Sequence, residues 1–218
     1  MIAKRQIFIL VSQTGTGMAK LIRCVSRYPY NHVSLTLDPS LTKWYSFARY
    51  VRDVPLHGGL VSESPERLCA PDGDMQVRVY RLEIPMEKAR EMEALIRYAD
   101  DPEAGLIYNH FDALACACGV RMPLPNCHTC LSFACQILGQ SHVSIRSLCQ
   151  ALATDLIYEG PMSGLVPVTQ NRETAYFAPV GPLKGTRLCA SQFGMLTFRT
   201  IWQGFSGHMA NRFHRTVW

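Results

Sequence analysis

The sequence predicts an α+β domain in which a mainly antiparallel sheet packs on a cysteine-bearing helix. Three stretches predict it. His32-Val33-Ser34-Leu35-Thr36-Leu37 and Trp44–Tyr50 read as strands on either side of the turn-forming Asp38-Pro39-Ser40-Leu41-Thr42, the pattern of a β-hairpin. Met75–Ile84 also alternates. At Pro85 it gives way to an amphipathic helix over Met86–Tyr98, with Met86, Ala89, Met92, Leu95 and Ile96 on one face. Thr129 precedes the apolar run Cys130-Leu131-Ser132-Phe133-Ala134-Cys135-Gln136-Ile137-Leu138, which reads as the opening turns of a capped, buried helix.

The remaining elements follow in order. Gln6–Ser12 reads as a buried first strand, broken by Thr14-Gly15-Thr16-Gly17. Met18, Leu21, Ile22 and Val25 give helical spacing over Met18–Arg27, and Tyr28-Pro29-Tyr30-Asn31 is a loop. His57–Cys69, with Gly58-Gly59 and nearby prolines, reads as irregular. Asp101–Gly105 is a turn, and Tyr108–Cys118 reads as a helix stopped by Gly119. A proline-rich loop covers Arg121–Asn126, and Ser144 or Ser147 caps a further helix running to Leu156. Gly160–Gly185 reads as loops and short strands over the core. The organisation expected is a domain over residues 1–185 and a C-terminal aromatic and basic extension over 186–218, packed on or beside it.

The bulk numbers exclude more than they assign. A chain of 218 residues, 48% hydrophobic and 18% charged, can bury a core without staples. Its net charge of +5 is scattered and accompanies no nucleic-acid-binding motif, so no nucleic-acid partner is expected. The apolar stretch Ile7–Val11 is too short for a secretion signal, and no run reaches the length of a membrane span. A cytosolic location is expected. Nine cysteines cannot all pair within one chain, and in a reducing compartment they are mostly buried thiols.

Chemistry enters with Cys130 and His32. A thiol attacks an acyl carbon only after losing its proton, which a helix N-terminus and a nearby imidazole both promote. The imidazole takes that proton and later returns it to the leaving group. A third group usually orients the ring. Folding the hairpin near Pro39 and Ser40 sets Tyr45–Phe47 roughly opposite His32, which makes Ser46 the polar candidate, with a backbone carbonyl as the alternative. Backbone N–H groups at the start of the Cys130 helix, and less directly Gln13, are candidates for an oxyanion hole. Gln13, Asn31, Tyr108 and His128 are the candidate substrate-binding residues.

Asn31-His32-Val33-Ser34-Leu35, then Tyr45-Ser46-Phe47-Ala48-Arg49, then Thr129-Cys130-Leu131-Ser132-Phe133-Ala134 together resemble the circularly permuted branch of the NlpC/P60 papain-like superfamily, in particular its YiiX/YebB-like group. In that branch the His strand precedes the Cys helix. The resemblance covers roughly Ile7–Gly160, including Asp155-Leu156-Ile157-Tyr158-Glu159-Gly160 after the Cys helix and Tyr108-Asn109-His110-Phe111-Asp112 before it. It implies a papain-like fold and a cysteine hydrolase working through an acyl-enzyme. The chain departs from the family where Ser132 stands for an acid in the Cys motif and Ser46 for a glutamate often found third in the catalytic set.

Hydrolysis of an amide or peptide bond is the leading expectation, with acyl transfer or cleavage of a lipid ester or thioester behind it. The expected partner is a small-molecule, peptide or acyl substrate, and no cofactor is expected. Two readings of another class compete. Cys116, Cys118, Cys127 and Cys130 would suit a zinc site, although a Cys-x-Cys on a helix points its sulfurs apart. The aromatic and arginine-bearing tail Phe198–Trp218 would suit a weak membrane-surface contact.

Overall fold

The computed structural model describes residues 3–15, 17–69, 73–168 and 175–215. It is a mixed α+β fold built on one eight-stranded sheet, in the order β7-β6-β4-β3-β2-β1-β5-β8. All neighbours are antiparallel except β6 and β7.

Strand β1 (Lys4–Ser12) lies between β2 (His32–Thr36) and β5 (Gln76–Pro85), and its last six residues are buried. Burial on both faces explains why it reads as an unbroken apolar run rather than an alternating one. Ile7, Ile9 and Val11 join the larger core. That core also takes in Phe47 of β3 (Trp44–Arg49), Met92 of α3 (Met86–Ile96), and Phe133, Ala134 and Ile137 of α5 (Cys130–Leu138). Phe8 and Leu10 point the other way. They join Trp44, Val77 and Val79 in a second cluster, closed by Met162 of the short helix α7 (Met162–Leu165). Helix α5 lies across β2 and β3, with the Phe133 and Phe47 rings 5.5 Å apart.

Several stretches differ from expectation. The segment read as irregular holds strand β4 (Gly58–Glu63) and helix α2 (Pro65–Cys69). The glycines that disguised the strand are required by close packing. A Cβ on Gly58 would sit 2.4 Å from the Ala48 carbonyl oxygen, and one on Gly59 would sit 2.3 Å from that of Leu106. Helix α1 (Gly17–Ser26) packs on α4 (His110–Ala117), which Asn109 caps by accepting from the Asp112 N–H. Between them in sequence comes the two-residue strand β6 (Ile107–Tyr108), and β7 (Cys127–His128) pairs beside it.

Ser144 caps α6 (Ile145–Ala151), which is shorter than predicted; the chain then enters the edge strand β8 (Leu156–Pro161). Of the stretch expected to be loops and short strands, residues 169–174 lie outside the described residues; the described parts include the end of β8, α7 and the start of α8 (Pro182–Arg215), so the boundary placed at 185 falls inside that helix. Helix α8 docks through Leu196, packed with Ile107 and Cys127, and through Gln192, whose amide bonds both the N–H and the carbonyl of Gly58 at 2.8 Å. Among the described residues, no helix is long and apolar enough to cross a membrane.

Candidate active site

The site forms where the start of β2 meets the start of α5. Asn31, buried just ahead of β2, fixes the loop after β1. Its side-chain oxygen accepts from the Thr14 N–H and from Arg23, its amide donates to the Thr14 hydroxyl, and its own N–H donates to the Ser12 carbonyl. The next residue, His32, therefore enters the site from a held backbone. Across the site, α5 begins with a reciprocal cap. Thr129 Oγ1 accepts from the Ser132 N–H at 3.0 Å, and Ser132 Oγ accepts from the Thr129 N–H at 2.7 Å. Such a cap contributes about 1 kcal/mol and sets the angle at which Cys130 leaves the first turn. Here Ser132 performs the capping that an acid at the same helical position commonly performs.

His32 is buried between two partners. Its Nε2 lies 3.0 and 3.1 Å from the two carboxylate oxygens of Glu63, at the end of β4. Ser34, on the same side of β2, donates to Glu63 Oε2 at 2.6 Å. Cys130 is the ring's other neighbour, near enough for negative charge on its sulfur to favour the protonated ring.

The electrostatics follow from this geometry. Burial favours a neutral ring, but Glu63 and Cys130 together outweigh it and hold His32 protonated well above the ordinary histidine range. Burial likewise opposes charge on Glu63. His32, Arg67 and the Ser34 hydroxyl overcome it and hold the carboxyl down at about 2. A buried ion pair is a weak source of stability, because desolvation consumes most of the Coulombic gain. Its presence here calls for a chemical reason.

Cys130 also forms part of the wall of a cavity of about 230 Å³. The cavity runs between α1, α4 and the starts of α5 and α6, and Ile22, Tyr30, Leu131 and Ile145 make its wall largely apolar.

No protein-family model matches this chain, and comparison with curated proteins and with solved structures returned no match.

The predicted residues divide clearly. His32 is bonded to Glu63 and has Cys130 as an electrostatic neighbour, and Cys130 lines the cavity. Asn31 and Tyr108 line the cavity, and Asn31 also braces the loop before β2. Gln13 is not in the cavity wall; its N–H is spent on the Gln76 carbonyl. His128 is also outside the wall. Its half-buried ring packs 4.9 Å from that of Phe47, and burial pushes it toward the neutral form.

Ser46 is corrected: the group facing the His32 ring is Glu63. The hairpin register pairs Tyr45 with Leu35, three residues past His32, and the buried Ser46 hydroxyl has no hydrogen-bond partner. Glu63 went unnoticed because its strand was read as irregular. The available signal was an acid two residues after the apolar pair Leu60-Val61, on the alternating pattern of a strand.

The four thiols considered for zinc are not gathered into a ligand set. Among the described residues, no group of three or more His, Cys, Asp or Glu side chains is placed to hold a metal ion. Asp112 instead accepts from Arg121 Nε at 3.0 Å and from the Met122 N–H at 2.6 Å, tying the Gly119–Asn126 loop to α4.

Proposed function

We propose that this protein is a cysteine-dependent acyl hydrolase of permuted papain-like type, with Cys130 as nucleophile, His32 as general base and acid, and Glu63 as the residue that orients and charges His32. The observation that carries this reading is the buried His32 ring bonded to Glu63, with Cys130 near enough to act on its charge and set in the wall of a cavity. A His strand that precedes the Cys helix in sequence, with α5 packed across β2 and β3, supports the permuted order.

A thiol is nucleophilic as the thiolate, and an adjacent imidazolium favours that form. Cys130 Sγ attacks the carbonyl carbon and its proton resides on His32. The carbonyl becomes an oxyanion beside the first N–H groups of α5, those of Cys130 and Leu131, which a helix start leaves without intrahelical partners. Collapse of that intermediate breaks the bond to the leaving amine, alcohol or thiol, which takes the proton from His32. A water then attacks the thioester, gives its proton to His32, and releases the acid with the free thiol.

Amide, ester and thioester carbonyls all fit this sequence. Amide or peptide hydrolysis stands first, and transfer to another acceptor differs only in what replaces water. The test is to trap the intermediate. Incubation with an activated short-chain ester, quenching in acid and mass spectrometry of the peptides should place the added acyl mass on Cys130. His32→Ala should lower the rate of acylation by about a hundredfold or more. Acylation spread evenly over several thiols, or unaffected by His32→Ala, contradicts the assignment.

A further inference from the structure

Helix α8 has one face against the body of the protein and another turned away from it. The inner face carries Gln192, Leu196 and Arg199. Gln192 bonds Gly58, Leu196 packs with Ile107 and Cys127, and Arg199 donates to the Pro125 carbonyl and to Cys127 Sγ. The outer face carries Met195, Phe198, Ile201 and Trp202, at 45%, 66%, 53% and 66% exposure. Steps of three and four residues set these four on one stripe of the helix. Phe198 and Trp202 stack within it, their ring centroids 6.3 Å apart and their planes 21° from parallel. Single exposed apolar residues are normal on a surface; four bulky ones in one stripe are not.

Charge in this part of the chain has one sign. Residues 175–218 hold Lys184, Arg187, Arg199, Arg212 and Arg215 and no Asp or Glu, which is the whole of the chain's net charge of +5. Steps of three and four carry the outer stripe back from Met195 through Ser191 to Arg187 and Lys184, all of them exposed. The apolar part therefore covers residues 195–202, about 10 Å of helix, and a cationic part precedes it on the same side. A helix lying on a bilayer needs an apolar face along its length, and this stripe turns polar before Met195. A second copy would bring an equally acid-free helix, and like charges would oppose the pairing. An apolar groove rimmed with carboxylates answers both parts of the stripe. Phe198, Ile201 and Trp202 stand at i, i+3 and i+4, the spacing by which a helix anchors in such a groove.

We propose that α8 is a docking helix for an acidic protein partner, whose apolar groove takes Phe198, Ile201 and Trp202 and whose rim carboxylates pair with Lys184 and Arg187. The apolar anchors supply the burial that holds the complex, and the opposite charges bring the partner in and fix its direction along the helix. Docking uses none of the residues around Cys130 and His32, so it stands whether or not the protein is a hydrolase.

The test is calorimetric titration of the full chain with calcium-loaded calmodulin, used as a probe because it offers an acidic surface and an open, methionine-lined groove. The wild type should bind, and more weakly as salt is raised from about 0.05 to about 0.5 M. Binding should fall about tenfold or more in the double variant Phe198→Asp/Ile201→Asp, and again when calcium is removed and the groove closes. Both substituted positions are exposed, and thermal unfolding checks that the variant is folded. Cys130→Ala should bind like the wild type, so that docking and catalysis fail separately. No binding by folded wild type overturns the proposal, as does binding that ignores the double variant or the removal of calcium. Flotation with phosphatidylglycerol-containing vesicles, or a concentration-dependent dimer in sedimentation, either of them lost in the double variant and without calmodulin binding, would give the stripe to a bilayer or to a second copy and also overturn it.

Discussion

Among single residues, Glu63 matters most through what it does to His32. Both are buried, and each holds the other charged against the cost of desolvation. The raised histidine contributes stability that is fully present below its unfolded value of 6.5 and lost as pH rises through its folded value. The depressed carboxyl contributes stability that is present above its unfolded value of 4.5 and lost as pH falls toward about 2. The pair therefore stabilises most between pH 4.5 and 6.5. Glu63→Ala strands His32 and should lower the unfolding free energy by about 3–5 kcal/mol in that window, with a smaller deficit in stronger acid and in alkali. Urea unfolding of wild type and variant across pH measures this directly. A deficit that does not vary with pH would mean that the two groups are not charged partners.

At the scale of elements, the helices were easier to read in the sequence than the strands at the sheet's far edge. Thr129 and Ser144 announced their helices because a hydroxyl at the cap and another three residues later bond reciprocally to the backbone, a local device with a local signature. The hairpin was also legible, but its register was not. One pairing, Leu35 with Tyr45, sets Ser46 away from His32, and turn composition alone does not specify which residues face each other across the strands. Strand β4 was hidden because glycine disfavours strands in isolation. Its two glycines serve close approach to the Ala48 and Leu106 carbonyls, a tertiary demand with no local signal. Losing β4 lost Glu63 with it. The same strand anchors α8: Gln192 is 3% exposed and bonds both backbone groups of Gly58. Gln192→Ala leaves those buried groups unpaired and should cost about 1–3 kcal/mol, read as a lowered melting temperature. An unchanged melting temperature would show that α8 adds nothing to the fold through this contact.

At the scale of the whole molecule, the site is assembled from three elements distant in sequence: the start of β2, the end of β4 and the first turn of α5. The placement of His32 at the start of a strand and of Cys130 at the start of a helix was legible, because alternation follows the one and a capped apolar run contains the other. The approach of Glu63 to His32 was not, since it depends on how the sheet brings the end of β4 beside the start of β2. On the proposed reading this assembly makes one of nine thiols chemically distinct, though Cys130 is 7% exposed and three other cysteines are also buried. The direct measurement is alkylation at neutral pH with a limiting amount of a small iodoacetamide reagent, followed by quantitative peptide mapping. Cys130 should be modified first, and its rate should fall about tenfold or more in His32→Ala and fall also in Glu63→Gln. Modification that follows exposure alone, with Cys24 and Cys118 reacting ahead of Cys130 and neither variant altering its rate, would contradict it.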